Sequence, residues 1–158
     1  MQLDNIDVKI LGRLQADAAI STADLANEVG LTQSPCWRRV SLLEAGGVIK
    51  NRVTLLARPK LGLGALVYVA VKLADHGATT LPALRTLCES SPEVLQCFML
   101  MGDVDYVLVI ATRDIDAYSE FLRNRLSKIP GIREITSRIV LEEVKNTSAL
   151  SLEYAIAR

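Results

Sequence analysis

The sequence contains few of the residues on which enzyme active sites commonly depend. It has one histidine, His76, in the polar segment DHGAT, where a solvated imidazole is the usual outcome. It shows no Ser/His/Asp set, phosphate-binding loop or metal-ligand spacing. Its three cysteines, Cys36, Cys88 and Cys97, have no paired spacing, which indicates reduced thiols and a cytoplasmic location. We therefore predict no catalytic residue, no metal site and no cofactor.

Long apolar runs are also missing. The longest, from Leu61 to Val71, is interrupted by two glycines and is far shorter than a membrane span. The segment MQLDNIDVK carries acids where a secretory signal would carry bases. These features predict no membrane partner.

The chain has no net charge, but its bases are unevenly distributed. Residues 33–60 contain one acid, Glu44, whereas residues 61–158 contain more acids than bases. The bases of the first segment are Arg38, Arg39, Lys50, Arg52, Arg58 and Lys60. A local basic stripe beside a mildly acidic remainder indicates two parts, of which the first meets an anion.

Hydrophobic spacing predicts two helices in the first thirty residues. Apolar residues recur at helical spacing from about Asp4 to Gln15. Ser21 or Thr22 can cap a second helix. Gly30 follows that helix and can end it, because glycine readily adopts the left-handed conformation.

A third helix is predicted to begin in the segment SPCWRRV. Ser34 is a suitable N-cap, and Pro35 suits the first helical position, where no backbone donor is needed. We expect this helix to run to about Glu44 and to end at the Gly46-Gly47 pair.

This third helix has an apolar face opposite a basic one. Cys36, Val40 and Leu43 lie at spacings of three and four, so we expect them to pack on the first two helices. Arg38 then points away from the core, beside Trp37. Two short helices with a glycine turn between them, the second presenting its first turn, are typical of a helix-turn-helix. The alternative is a three-helix scaffold with a solvated basic face and Trp37 packed inward.

This orientation predicts which side chains contact DNA. The major groove is expected to receive Ser34, Trp37 and Arg38. Gln33 is expected near the edge of the groove. The side chains expected on phosphates are Arg39 and Arg52. The segment VIKNRVTLLA, after the helix, alternates loosely, as a wing or an exit strand would.

Beyond a hinge of sequence RPKLGLG, the pattern changes to strands. Residues 65–73 and 106–112 are apolar on both alternating faces, as central strands are. Leu95–Met101 and Ile135–Glu142 carry more polar positions and suit edge strands. Helices are expected at 80–90 and at 115–128, the second capped by Asp114.

The resulting order, βαββαβ, predicts a ferredoxin-like domain, so the fold class is α+β. The predicted divisions are a winged helix-turn-helix domain at 1–52, a linker at 53–64 and the βαββαβ domain at 65–158. Helices can cover only one face of such a sheet. Because the other face is also apolar, a second copy of the chain is its simplest cover.

The sequence resembles the leucine-responsive regulatory protein/asparagine regulator (Lrp/AsnC) family of prokaryotic transcription factors. The resemblance covers essentially the whole chain. It rests on the segments LDNIDVKILGRLQAD, VGLTQSPCWRRVSLLEAGGVIK, MGDVDYVL and VLEEVKNTSALSL. It implies a sequence-specific regulator that binds double-stranded DNA, with a sensor domain for an amino acid or related metabolite. It also implies dimers formed through the sheets, which commonly assemble to octamers.

The family's sensor motif falls on MGDVDY, residues 101–106. Gly102 permits a tight turn that opens backbone groups to a ligand, and Asp103 or Asp105 can bind an ammonium group. The alternative is ordinary hairpin chemistry, because Gly-Asp is common in turns. The candidate effector-binding residues are Met101, Gly102, Asp103 and Asp105, with Thr136 and Ser137 on the last strand.

Three other functions compete with a ligand-responsive DNA-binding protein. Sirohaem decarboxylases resemble this family in fold, but such chemistry depends on histidines and His76 stands alone. A redox or metal sensor would use the cysteines. Cys36 is expected in the core, Cys88 on a helix and Cys97 alone on a strand, which favours inert thiols. A regulator that has lost DNA binding is disfavoured by the arginine cluster.

Overall fold

The structure is a computed structural model that describes residues 2–74, 80–153 and 155. These residues form two compact units. The helical unit contains the described residues up to Leu55 together with those from Lys145 onward, and the sheet unit is Leu56–Val144. His76 lies outside the described residues. Within the described part of the chain, every helix is too short or too polar to cross a membrane.

The first two helices of the helical unit form where the sequence predicts them. Helix α1 is Asn5–Ala16, and the Asp4 side chain caps it by accepting hydrogen bonds from two backbone N–H groups of the first turn. Helix α2 is Thr22–Val29, capped by Ser21. Gly30 ends α2 with a φ of 73°, a left-handed conformation that glycine adopts without steric cost.

Helix α3 is Gln33–Ala45, so it begins before the predicted Ser34-Pro35 pair. Thr32 is the N-cap, although its side chain makes no capping hydrogen bond. The prediction that Ser34 caps this helix is therefore wrong. Pro35 is tolerated inside the first turn because backbone N–H groups there have no intrahelical acceptor.

One apolar core holds the three helices together. Helix α3 contributes Cys36, Val40 and Leu43, as predicted, and all three are buried. They pack with Ile10, Leu11, Leu25, Ala26 and Val29. Because one side of α3 is buried in this core, its opposite side faces solvent.

The segment that follows α3 is not a strand. Residues 50–57 have no regular secondary structure, and a short 3₁₀ helix follows at Arg58–Leu61. Within the described residues, this segment therefore does not form the strand that the sequence analysis expected for a wing or an exit strand. A strand needs a hydrogen-bonded neighbour, and no ladder in the described part of the chain includes this segment.

The C-terminal segment packs with the helical unit rather than with the sheet. The Leu150 N–H donates to Gln15 Oε1 at 2.7 Å, and Gln15 Nε2 donates to the Leu150 carbonyl at 3.1 Å. Leu152 packs against the helical core. The sheet unit ends at Val144, whereas the predicted domain extended to residue 158.

The sheet unit has the predicted βαββαβ order. Its strands are β1 Ala65–Leu73, β2 Val94–Met99, β3 Tyr106–Thr112 and β4 Ile132–Ile139, and its helices are α4 Thr80–Ser90 and α5 Ile115–Asn124. A 3₁₀ helix, Leu126–Lys128, follows α5. The spatial order β2-β3-β1-β4 makes β1 and β3 central and the other two strands edges, as expected for a ferredoxin-like sheet.

Strand β4 is displaced from its predicted position at Ile135–Glu142. It begins at Ile132 because pairing with β1 extends to the Leu73–Ile132 pair. Helix α5 is also shorter than predicted, because its last part tightens into the 3₁₀ helix. Asp114 caps α5 as expected, accepting a hydrogen bond from the Ala117 N–H at 2.7 Å.

Strand pairing assigns side chains to the two faces of the sheet. The helix-covered face contains Val67, Val69, Val71, Leu108 and Ile110. The open face contains Leu66, Tyr68, Ala70, Val107, Val109 and Ala111 of the central strands, joined by Phe98 of β2. The central strands are thus apolar on both faces, as the sequence predicts.

Candidate DNA-binding helix and effector turn

The first turns of α3 present the predicted DNA-contacting side chains at the protein surface. Gln33, Ser34 and Arg38 are exposed. Trp37 is 61% exposed, so it is not packed inward as the scaffold alternative requires. Gln33, Ser34 and Trp37 line one shallow groove of about 370 Å³ together with Thr22 of α2.

Arg39 has a different environment from Arg38. Its Nη1 lies 2.7 Å from Asp4 Oδ2 and 2.7 Å from Asp7 Oδ1, so it joins α3 to the N-terminus of α1. The Asp7 N–H and the Arg39 guanidinium together lower the pKa of Asp4. The two carboxylates raise the pKa of Arg39. The side chain predicted to contact phosphate is therefore part of an interhelical ion-pair network.

Arg52 lies in the irregular segment after α3. Its Nη2 is 2.9 Å from Glu44 Oε1, and both side chains are substantially exposed. An exposed ion pair of this kind contributes little stability, about 0–1 kcal/mol. Arg52 can therefore leave Glu44 for another anion at small cost.

The predicted effector turn lies between β2 and β3. Met101 is fully exposed, and Asp103 is exposed beside it. Gly102 has a φ of 155°, which residues with a Cβ rarely adopt, and no atom lies within 4 Å of where a Cβ would be. The turn is therefore open to solvent and depends on glycine at this position.

Asp105 joins this turn to the neighbouring strand. Its Oδ2 accepts a hydrogen bond from the Leu73 N–H at 2.7 Å, at the end of β1. Its own N–H donates to the Val71 carbonyl at 3.0 Å. The carboxylate is thus oriented by the sheet, which gives a structural role to the acid directly before the apolar strand β3.

Thr136 and Ser137 do not face the same side of the sheet. Thr136 pairs with Ala70 of the open face, whereas Ser137 pairs with Val69 of the helix-covered face. The Ser137 hydroxyl shares a hydrogen bond with the hydroxyl of Tyr118, a buried residue of α5. Because successive strand residues point to opposite faces, the two cannot line one pocket of a single chain directly.

The cysteines are not all isolated, contrary to the sequence interpretation. Cys36 is buried in the helical core. The thiols of Cys88 and Cys97 interact, which raises the pKa of Cys88 and lowers the pKa of Cys97 to about 7. Residue spacing contains no signal for this interaction, because the two residues lie on different elements. Across the described ranges, no group of three or more His, Cys, Asp or Glu side chains is placed to share a metal ion.

Comparisons with known proteins agree with this architecture. Residues 3–50 match a winged helix-turn-helix DNA-binding model, and residues 66–150 match the Lrp/AsnC ligand binding domain. A glutamate uptake regulatory protein of Zymomonas mobilis is 39% identical over 96% of this chain and 92% of its own. The DNA-binding transcriptional activator DecR of Escherichia coli is 35% identical over 96% of this chain and 99% of its own.

A solved structure supports the same assignment. The transcriptional regulator NMB0573 of Neisseria meningitidis, in complex with L-Met, superposes with a TM-score of 0.93 at 32% identity. The match covers 98% of this chain and 99% of that one. Both units, in their order along the chain, thus have counterparts in related regulators. The chain belongs to the Lrp/AsnC family of DNA-binding transcriptional regulators, which respond to amino acids.

Proposed function

We propose that α3 enters the major groove and that Ser34, Trp37 and Arg38 contact base edges, with Gln33 at the rim of the groove. The observation that carries this proposal is the outward-facing first part of α3. Its opposite face is held by Cys36, Val40 and Leu43, so the helix cannot rotate these side chains away from DNA without breaking the core. Helix-turn-helix proteins use the same part of their second helix for base contacts.

The two remaining arginines have separate roles in this proposal. Arg52 exchanges Glu44 for a DNA phosphate, since its present ion pair is exposed and weak. Arg39 was predicted to bind phosphate as well. Its contacts with Asp4 and Asp7 favour a mainly positioning role, in which it fixes the angle of α3 against α1.

For the sheet unit, we propose that an amino acid binds at the turn that contains Met101, Gly102, Asp103 and Asp105. The support is the open backbone at Gly102 and the oriented carboxylate of Asp105, which suits a charge-assisted hydrogen bond to an ammonium group. Thr136 stays a candidate on the open face of the sheet, where it pairs with Ala70. Ser137 is a weaker candidate because its hydroxyl is bonded to Tyr118.

The proposed working form is at least a homodimer, in which each copy presents one α3 to DNA. A dimer of this kind binds an inverted repeat whose half-sites lie about 10 base pairs, or a multiple of this, apart. Assembly to octamers follows from the family resemblance and stays a prediction.

The DNA-binding proposal is tested by fluorescence anisotropy with an operator selected from random DNA. We expect Arg38→Ala to lose about 1–3 kcal/mol of binding free energy, roughly 5- to 150-fold in affinity, and to relax preference at one base pair. Arg123→Ala is the matched control, because it removes the same charge from an exposed site on α5. We expect it to bind DNA with unchanged sequence preference.

Arg52→Ala distinguishes phosphate contacts from base contacts. It should weaken binding to all sequences alike and reduce the slope of log affinity against log salt by about 1, as loss of one phosphate contact does. If Arg38→Ala and Arg52→Ala both bound the operator with wild-type affinity, the assignment of α3 as the DNA-binding helix would be wrong.

A further inference from the structure

Two of the three cysteines lie on facing elements of the sheet unit. Helix α4 packs against β2, and Cys88 of α4 contacts the core beneath the helices. On β2, Cys97 pairs with Leu108, whose side chain belongs to that same core. Residues paired across antiparallel strands point to the same face, so both thiols lie on the helix-covered side of the sheet.

The two thiols lie close enough to change each other's pKa. Their interaction raises the pKa of Cys88 and lowers the pKa of Cys97 to about 7, although burial opposes the second effect. Cys97 is exposed, whereas Cys88 is half-buried. The pair therefore combines an accessible sulfur that favours the thiolate with a neighbouring thiol that retains its proton.

We propose that Cys88 and Cys97 form an oxidisable dithiol, in which a hydroperoxide oxidises Cys97 and Cys88 then closes an intrachain disulfide. Nothing in this proposal depends on DNA contacts or on the effector turn. Cys36 takes no part, because it is buried in the helical core and burial raises the pKa of its thiol.

The chemistry balances in two steps. The Cys97 thiolate attacks the peroxide oxygen, the O–O bond breaks, and after proton uptake an alcohol or water leaves while Cys97 becomes a sulfenic acid. The Cys88 sulfur, losing its proton, then attacks the Cys97 sulfur, the S–O bond breaks, and water leaves. The two sulfurs together lose two electrons, which the hydroperoxide accepts.

The size of the effect follows from the thiolate fraction. At pH 7 a thiol with a pKa near 7 is about half ionised, against about 1% for a pKa near 9, an advantage of roughly 50-fold. The lower basicity reduces intrinsic nucleophilicity by roughly 10-fold. Cys97 should therefore react about fivefold faster than an ordinary exposed thiol at pH 7.

The first experiment treats the full-length reduced protein with hydrogen peroxide and alkylates it after denaturation. Mass spectrometry should show alkylation of all three cysteines before oxidation and of Cys36 alone afterwards. Peptide mapping should join the peptides that contain Cys88 and Cys97. Cys36→Ser is the control and should form the same disulfide at the same rate.

The second experiment separates the roles of the two sulfurs. In Cys88→Ala the sulfenic acid has no partner, so a dimedone adduct should accumulate on Cys97. The pH dependence of Cys97 alkylation should show a midpoint near 7 in the wild type and a higher midpoint in Cys88→Ala, which lacks the neighbouring thiol. Cys88→Ser keeps a hydroxyl donor and should retain part of the lowering.

Three results would each overturn the proposal. The first is alkylation of all three cysteines after peroxide treatment. The second is a disulfide that joins two chains, visible as a dimer on a non-reducing gel. The third is an alkylation midpoint for Cys97 near 9 in the wild type, which would mean that Cys88 does not stabilise the Cys97 thiolate in solution.

Discussion

At the scale of single residues, two adjacent arginines illustrate how position on a helix decides role. Arg38 and Arg39 are one residue apart and therefore about 100° apart around α3. Arg39 reaches Asp4 and Asp7 on α1, while Arg38 lies on the exposed side. Because of this angular separation, we assign Arg38 to DNA contacts and Arg39 to an ion-pair network within the fold.

The aspartates of the effector turn give a residue-scale prediction. A thermal-shift screen of the twenty amino acids would identify the ligand, because the amino acid that binds raises the unfolding temperature. Asp105→Asn keeps an oxygen that accepts from the Leu73 N–H but removes the charge. Calorimetry should show roughly 10- to 150-fold weaker binding, because a hydrogen bond to a charged group contributes about 1.5–3 kcal/mol.

The matched control for this prediction is Asp103→Asn, the same chemical change at an exposed position two residues away. It should weaken binding less than Asp105→Asn does. Without ligand, both variants should bind DNA as the wild type does. If both bound the amino acid at full affinity, the turn would be a hairpin only, and the effector site would lie elsewhere in the sheet unit.

Side-chain partners were the part of the site that sequence patterns could not predict. The exposure of Trp37 and the burial of Cys36 follow from helical spacing, which is a local property. The ion pairs of Arg39 and the contact between Cys88 and Cys97 join separate elements. Such contacts depend on how helices and strands pack, and a single sequence contains no periodic signal for them.

At the scale of elements, two glycines with left-handed conformations differ in what surrounds them. Gly30, between α2 and α3, has a φ of 73° and open space where a Cβ would be. Gly131, just before β4, has a φ of 81°, and a Cβ there would collide with the Thr80 side chain at the start of α4. The first position requires only the conformation, whereas the second also requires the missing side chain.

This difference predicts unequal losses of stability. Gly30→Ala should lower the free energy of unfolding by about 1 kcal/mol, the cost of a left-handed conformation with a Cβ. Gly131→Ala should cost about 2–4 kcal/mol, because overpacking adds to that strain. Urea unfolding followed by circular dichroism measures both. Trp37, the one tryptophan, reports the helical unit by fluorescence. Equal losses in the two variants would contradict the predicted collision.

Elements with strong internal patterns were predicted well, and those set by partners were not. Strands β1 and β3 have their predicted bounds because their apolar runs are long and clearly delimited, by the glycine-containing hinge before β1 and by Asp105 and Arg113 around β3. Strand β4 alternates weakly, so its position is decided by pairing with β1 rather than by its own sequence. The sequence analysis placed Thr136 and Ser137 in one site. They are neighbours in β4 and therefore face opposite sides of the sheet.

At the scale of the whole molecule, the open face of the sheet is the feature that a single chain leaves incomplete. Leu66, Val109 and Ala111 form a small apolar cluster there, with Val140 packed against it. Tyr68 is 44% exposed and Phe98 is 50% exposed on the same face. A second copy that placed its sheet against this one would cover both aromatic side chains, as the sequence analysis proposed.

The corresponding prediction concerns assembly. Tyr68→Glu places a charge on the open face, beside its cross-strand neighbour Arg138. Burying this charge in a dimer would still cost several kcal/mol, because both ions would lose their hydration. Ile115→Glu is the control, since Ile115 is 40% exposed at the start of α5, on the other side of the sheet. Light scattering at micromolar concentration should show a dimer or larger assembly for the wild type and for Ile115→Glu. Tyr68→Glu should shift the population to monomers that keep their circular dichroism, and Phe98→Glu should repeat this shift from the edge strand.

A wild-type protein that is a folded monomer at this concentration, or a Tyr68→Glu variant with wild-type assembly, would show that the sheet face is not the interface. In the first case the proposed inverted-repeat operator would also lose its basis, because its symmetry depends on two copies of α3 held together.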